Sequence, residues 1–307
     1  MKRFIVRTLM FIIVVLMIDT AYGKICEFMR SHVRGGFTYI DKYVCDSARQ
    51  DILIFGSSRA RMQYDPQILS DSLRMSCFNC GSNGMGIIFH YGRLKIISRR
   101  YMPKVIIYDI LPVLDEMTRD DNIIFANPLR PYYSVKGVDS IFWKIDKTER
   151  MKMLSQMYKY HAEFIPYLLD YRNTVHAPLG YEPGTGIVSN NLKIEEKTDY
   201  TVDSLKLYYL EKFIQECKGK TYLIFAAAPR WKYPESGNAF DPLIKLCRKY
   251  DIPFLNHYND KRFIYKQDYY SDGTHFNKTG ATAYSKMLSA ELAKLMKNNK
   301  KKNGCKI

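Results

Sequence analysis

Acidic residues are scarce: 31 Asp and Glu face 47 Lys and Arg, for a formal net charge of +16 over 307 residues. That imbalance excludes an acidic, solvating chain and points to a polyanionic neighbour, whether nucleic acid, an anionic membrane or an acidic polymer. Tryptophan is almost missing, at 2 residues, whereas tyrosine reaches 25. Tyrosine has a flat apolar body and a polar tip, which suit a sugar- or amphiphile-facing surface as well as a core edge. The composition rules out a collagen, a coiled coil and a small disulfide knot, and no internal repeat is visible. There is no series of long apolar stretches, so a polytopic membrane protein is also excluded. With 47% hydrophobic residues the chain buries an ordinary core of one large domain or two.

A cysteine framework is lacking too. Seven cysteines (Cys26, Cys45, Cys77, Cys80, Cys217, Cys247 and Cys305) are odd in number and irregular in spacing. Cys77 and Cys80 form a lone C-x-x-C without the second ligand pair that zinc needs, so ordinary buried thiols are the expectation for them, while an exported protein leaves room for one or two bridges. No metal or cofactor is expected.

At the N-terminus, Lys2, Arg3 and Arg7 precede an unbroken apolar run, Leu9 to Ile18, and the small-residue stretch Ala21-Tyr22-Gly23 comes next. Residues 1–24 therefore read as a signal peptide or as an uncleaved signal-anchor helix. Counted from Phe4, the run approaches the ~20 residues of a spanning helix. Ile25, not a small residue, precedes Cys26, which argues against a lipoprotein. The expectation is an exported protein, membrane-anchored or extracytoplasmic, contacting the membrane through this segment. Export and the lack of any nucleic-acid motif argue against a nucleic-acid partner. The sequence sets no oligomeric state.

Further on, short apolar runs read as buried parallel strands at 51–55, 75–79, 105–110, 221–227 and 252–255. Helical patterns fall at 66–74, 86–100, 202–217, 240–250 and 278–297, the last with Asn277 at its cap. This alternation predicts an α/β three-layer sandwich with a mainly parallel five-stranded sheet over 46–298. Residues 115–199, rich in proline and tyrosine and helical around 147–170, are too long for a loop and read as an inserted helical region. Residues 299–307 form a basic tail.

Three motifs carry chemistry. Gly56-Ser57-Ser58 follows the first strand, where a sharp turn can present Ser58 at the sheet's upper edge. Asn79-Cys80-Gly81-Ser82-Asn83-Gly84 follows the second strand, and its glycines can bring N–H groups close to a ligand. Asp272-Gly273-Thr274-His275 precedes the last helix, where a carboxylate three residues before an imidazole can fix its tautomer.

Together these motifs resemble the SGNH, or GDSL-type, hydrolase superfamily over most of the chain, from Asp51 to about Lys297. The resemblance implies a flavodoxin-like fold and a catalytic triad of Ser58, Asp272 and His275. It also implies an oxyanion hole from the N–H groups of Ser58 and Gly84, with Asn83 as a substitute donor. Two departures stand out. Ser57 occupies the family's Asp position, and the stretch after the third strand, Tyr108-Asp109-Ile110-Leu111-Pro112, lacks the Asn that supplies a second oxyanion donor. The implied function is a serine esterase or O-acyltransferase acting on an acylated envelope glycan or a similar ester. The alternative is a non-catalytic glycan-binding or assembly protein on the same fold.

Overall fold

The structure, a computed structural model, describes residues 1–118, 122–189, 201–231 and 238–303, the last four by backbone only. Residues 304–307 of the basic tail, with Cys305, lie outside the described residues. In chain order the elements are α1 (Lys2–His32), α2 (Gly36–Asp46), β1 (Ile52–Gly56), α3 (Ser58–Gln63), α4 (Pro66–Leu73), β2 (Cys77–Asn79), α5 (Ile87–Ile97), β3 (Val105–Asp109) and α6 (Pro112–Asp115). After these come α7 (Asn122–Ala126), α8 (Asp139–Ile145), α9 (Glu149–Lys152), α10 (Gln156–Tyr160), α11 (Phe164–Arg172), α12 (Ser204–Cys217), β4 (Tyr222–Ala227), α13 (Asp241–Tyr250), β5 (Phe254–Asn256) and α14 (Lys278–Asn303).

The chain packs into two compact units. A sheet unit comprises residues 47–120 and 177–307, and a helical unit comprises 1–46 and 121–176. Of the region read as an insertion, 121–176 therefore joins the N-terminal segment, whereas 177–189 packs with the sheet.

The five strands run parallel in the order β2-β1-β3-β4-β5. Every residue of β1 and β3 is buried, because helices cover both faces of a parallel sheet and both faces of each strand must be apolar. Alternate residues serve the two faces. Ile52, Ile54, Val105, Ile107, Ile224 and Ala226 share one core with Tyr64 and Leu69 from the α3–α4 segment and with Tyr284, Leu288 and Leu292 on α14. On the other face, Phe55 and Tyr108 pack edge-on against His90 of α5 and Phe213 of α12. The unit is a three-layer α/β/α sandwich. The chain leaves β1 to one side for β2, then returns to the other side for β3. The carboxyl ends of β1 and β3 thus flank the point where strand order reverses, which is where open α/β sheets hold their ligands.

The helical unit is organised by α1, which changes character partway along. Residues 1–18 are exposed all round. From Asp19 onward one stripe turns inward: Asp19, Tyr22, Gly23, Cys26 and Met29, at helical spacing. Asp19 accepts hydrogen bonds from the Ser155 hydroxyl (2.7 Å) and from the N–H groups of Gln156 and Met157 (2.8 Å each), satisfying the start of α10. Tyr22 stacks on Phe164 at 5.6 Å, and the Tyr160 hydroxyl donates to Glu27 at 2.9 Å. Gly23 is required, because a Cβ there would lie 2.7 Å from that of Gln156.

Candidate active site

Gly56 ends β1 with φ +137°, and an added Cβ would meet the Asp109 carbonyl at 2.7 Å. Only glycine makes this turn cheaply. The next two residues, both serines, are used differently. Ser57 is buried and caps α3, its hydroxyl accepting the Arg59 N–H at 3.4 Å. Ser58 is the first helical residue, and its Oγ lies 2.7 Å from His275 Nε2. The cap occupies Ser57 and leaves Ser58 as the hydroxyl available for chemistry.

His275 is held by its own loop. Its Nδ1 lies 2.8 Å from Asp272 Oδ2 and 3.1 Å from Oδ1. Asp272 Oδ1 also accepts the N–H groups of Thr274 (2.7 Å) and His275 (2.9 Å). Desolvation raises the Asp272 pKa, but the His275 hydrogen bond and these N–H groups outweigh it and hold the carboxyl at about 2. An ionised Asp272 makes Nδ1 the donor, so Nε2 is left to accept the Ser58 proton. The loop is pinned from behind: Gln63 donates to the Thr274 carbonyl at 2.7 Å, and Ser271 N–H donates to the His275 carbonyl at 3.0 Å. Asn277 then starts α14, its side chain accepting the Gly280 N–H at 3.1 Å.

The second motif builds a turn packed against β1 and α3. Asn79, fully buried, donates to the carbonyls of Ala60 (2.7 Å) and Tyr64 (2.8 Å) and accepts the Gly81 N–H at 2.9 Å. The Ser82 N–H donates to the Gly56 carbonyl at 3.0 Å, tying the turn to the end of β1. Gly84 has φ +71°, and the space where its Cβ would stand is open. Neither Asn83 nor Gly84 hydrogen-bonds to Ser58, His275 or Asp272.

Asp109, the last residue of β3, forms a buried network that motif reading missed. Its carboxylate pairs with Arg59 at 3.1 Å, both side chains being wholly buried, and accepts the Tyr64 hydroxyl (2.7 Å) and the Ala228 N–H (2.9 Å). Arg59 also donates to the carbonyls of Ile110 (2.7 Å) and Ala228 (3.2 Å). Arg59 directly follows Ser58, so this network fixes the backbone beneath the candidate nucleophile to the ends of β3 and β4. The available signal was a charge at the last position of an otherwise apolar strand. A second missed neighbour is Arg230, which donates to the Thr274 hydroxyl at 3.4 Å and the Tyr258 hydroxyl at 3.3 Å.

Among the described residues, no group of three or more His, Cys, Asp or Glu is arranged to hold a metal. The six described cysteines are buried and form no disulfide.

Fold and site together define an α/β protein with a Ser-His-Asp hydrogen-bond chain at the carboxyl edge of a parallel sheet. No protein-family model matches the chain, and no curated protein matches it. Among solved structures it is similar to one described as "a putative platelet activating factor from Streptococcus pneumonia". That similarity is 14% identity and a TM-score of 0.44, over 91% of this chain and 98% of that one.

Proposed function

We propose that the protein is a membrane-anchored serine acyl-ester hydrolase or O-acyltransferase of the SGNH kind, acting outside the cytoplasm on an acylated envelope glycan or a similar ester. The observation that carries the chemistry is the continuous hydrogen-bond chain from Asp272 through His275 to Ser58. Ser58 Oγ attacks the acyl carbon while His275 Nε2 takes its proton. Asp272 stabilises the imidazolium so formed, and the N–H groups of Ser58 and Gly84, with Asn83 beside them, receive the oxyanion. His275 then protonates the departing alkoxide, leaving an acyl-Ser58 ester. Water or a sugar hydroxyl, deprotonated by His275, attacks that ester and frees Ser58. Water as acceptor gives hydrolysis, and a sugar gives transfer.

The envelope setting is supported by α1, which is long and apolar enough to cross a membrane. It runs unbroken through Ala21-Tyr22-Gly23 and packs on α10 and α11 beyond them, which favours an anchor over a cleaved signal.

A fluorophosphonate probe tests the reading. Labelling is expected on the wild type, absent in Ser58→Ala and strongly slowed in His275→Ala. A folded wild type that takes no label overturns the enzyme and leaves the glycan-binding alternative.

A further inference from the structure

We propose that the helical unit lies on the membrane surface, with the apolar side chains around the start of α10 inserted at the boundary between headgroups and acyl chains. This rests on the reading that α1 remains in the membrane.

Counted from Phe4, with Arg7 reaching back to the cytoplasmic headgroups, residues 4–18 of α1 rise about 21 Å at 1.5 Å per residue, roughly 9 Å short of a hydrocarbon core ~30 Å thick. About six further residues make up that difference, which brings the upper boundary to the level of Lys24, an exposed cation suited to the headgroups. Asp19 to Gly23 therefore lie below or at the boundary, and so do the groups packed on them. These are Ser155, Gln156 and Met157, bonded to Asp19, and Phe164, stacked on Tyr22.

The side chains at that level fit a lipid boundary. Asp19 would be costly there as a lone carboxylate, yet it is matched by three donors at the start of α10. α10 runs away from the membrane alongside α1, since its first residue meets Asp19 and its last, Tyr160, meets Glu27. Its membrane-side end is entered by Met151 and Leu154, which are 76% and 78% exposed. Met157, whose N–H bonds Asp19, and Ile165, which follows Phe164 on α11, are 50% and 58% exposed. Four large apolar side chains held in solvent around the exit of a spanning helix are unfavourable in water and favourable in the interface. Lys147 and Arg150, exposed just upstream, supply cations for anionic headgroups. The alternative occupants, solvent or a protein partner, would leave this patch out of lipid.

The test uses the full chain in mixed phosphatidylcholine–phosphatidylglycerol vesicles, with tryptophan introduced singly as Ile12→Trp, Leu154→Trp or Met157→Trp. Emission added over the wild type is read with lipids brominated near the top or the middle of the acyl chain, and with aqueous iodide. All three positions are exposed, so unchanged melting is expected. The proposal predicts blue-shifted emission from Leu154→Trp and Met157→Trp, lost to shallow bromines and protected from iodide, and Ile12→Trp emission lost to deeper ones. If Ile12→Trp is quenched by bromine while the other two stay open to iodide, the anchor stands and the interfacial surface is overturned. If Ile12→Trp escapes bromine as well, the anchor fails and the proposal falls with it.

Discussion

At the scale of single residues, adjacent serines have separate duties set by backbone geometry. Ser57, one position before the helix, spends its hydroxyl on a cap, and Ser58, one position inside, points its own at His275. Ser57→Ala should cost about 1 kcal/mol of stability, the usual effect of a lost cap, and leave fluorophosphonate labelling within a few-fold of wild type. Ser58→Ala should keep its stability and lose labelling altogether. For Asp272→Asn the expected loss is about 10²–10⁴-fold in labelling rate, because an amide neither fixes the Nδ1–H tautomer nor stabilises the imidazolium. Melting curves beside labelling rates separate these outcomes, and equal loss in Ser57→Ala and Ser58→Ala would reject the division of duties. Asp272 and His275 were legible as a pair because they stand three apart on one loop. Their meeting with Ser58 depends on the sheet, which returns residue 275 to the end of β1.

Among elements, the strands were readable to within about two residues, because burial on both faces leaves uninterrupted apolar runs. Expected at 105–110 and 221–227, β3 and β4 stand at Val105–Asp109 and Tyr222–Ala227. The Arg59–Asp109 link was illegible, since nothing local marks two charges 50 residues apart as partners. Removing one charge of such a buried pair strands the other. Asp109→Ala is therefore expected to lower unfolding stability by about 3–5 kcal/mol in denaturant titrations, and Arg59→Met/Asp109→Leu by much less. Also missed was the end of α6, where Asp115 and Glu116 are both buried. Desolvation, with Asp115 nearby, raises the Glu116 pKa to about 8, and desolvation raises Asp115 to about 7. Both values lie above those of the unfolded chain. The folded state therefore keeps protons that the unfolded state releases, and stability falls as pH rises from about 4.5 towards 8. The slope for each group is at most about 1.4 kcal/mol per pH unit. Glu116→Gln should flatten this decline, so that its melting temperature exceeds wild type at pH 8 and matches it near pH 4.5. Parallel pH profiles for the two proteins would reject the assignment.

For the molecule as a whole, the excess of positive charge is unevenly placed. Lys2, Arg3 and Arg7 lie before the apolar run, and the last stretch, from Lys294, holds six lysines and no acid. The basic start of the helix is the feature on which the proposed orientation rests, with that cluster in the cytoplasm and the chain beyond the helix outside. The sequence left residues 1–24 open between signal and anchor, because composition is the same for both. The packing supports the anchor proposed above. Cleavage after Gly23 would remove the Asp19 side chain that satisfies the start of α10 and the Tyr22 ring that covers Phe164, and would expose Cys26 and Met29 at a new, frayed terminus. An anchor keeps all of these contacts. Cells producing the full chain should therefore hold it in the membrane fraction through alkaline carbonate washing, with an intact mass that includes residues 1–23. Ser58 should react with a membrane-impermeant fluorophosphonate in cells whose cytoplasmic membrane is sealed. A mature chain starting near residue 24 and freed by the carbonate wash would show that export cuts the helix, and α10 would then need another group at its start. Retention with Ser58 shielded from the impermeant probe until the membrane is opened would place the sheet unit on the cytoplasmic side, contrary to the proposed orientation.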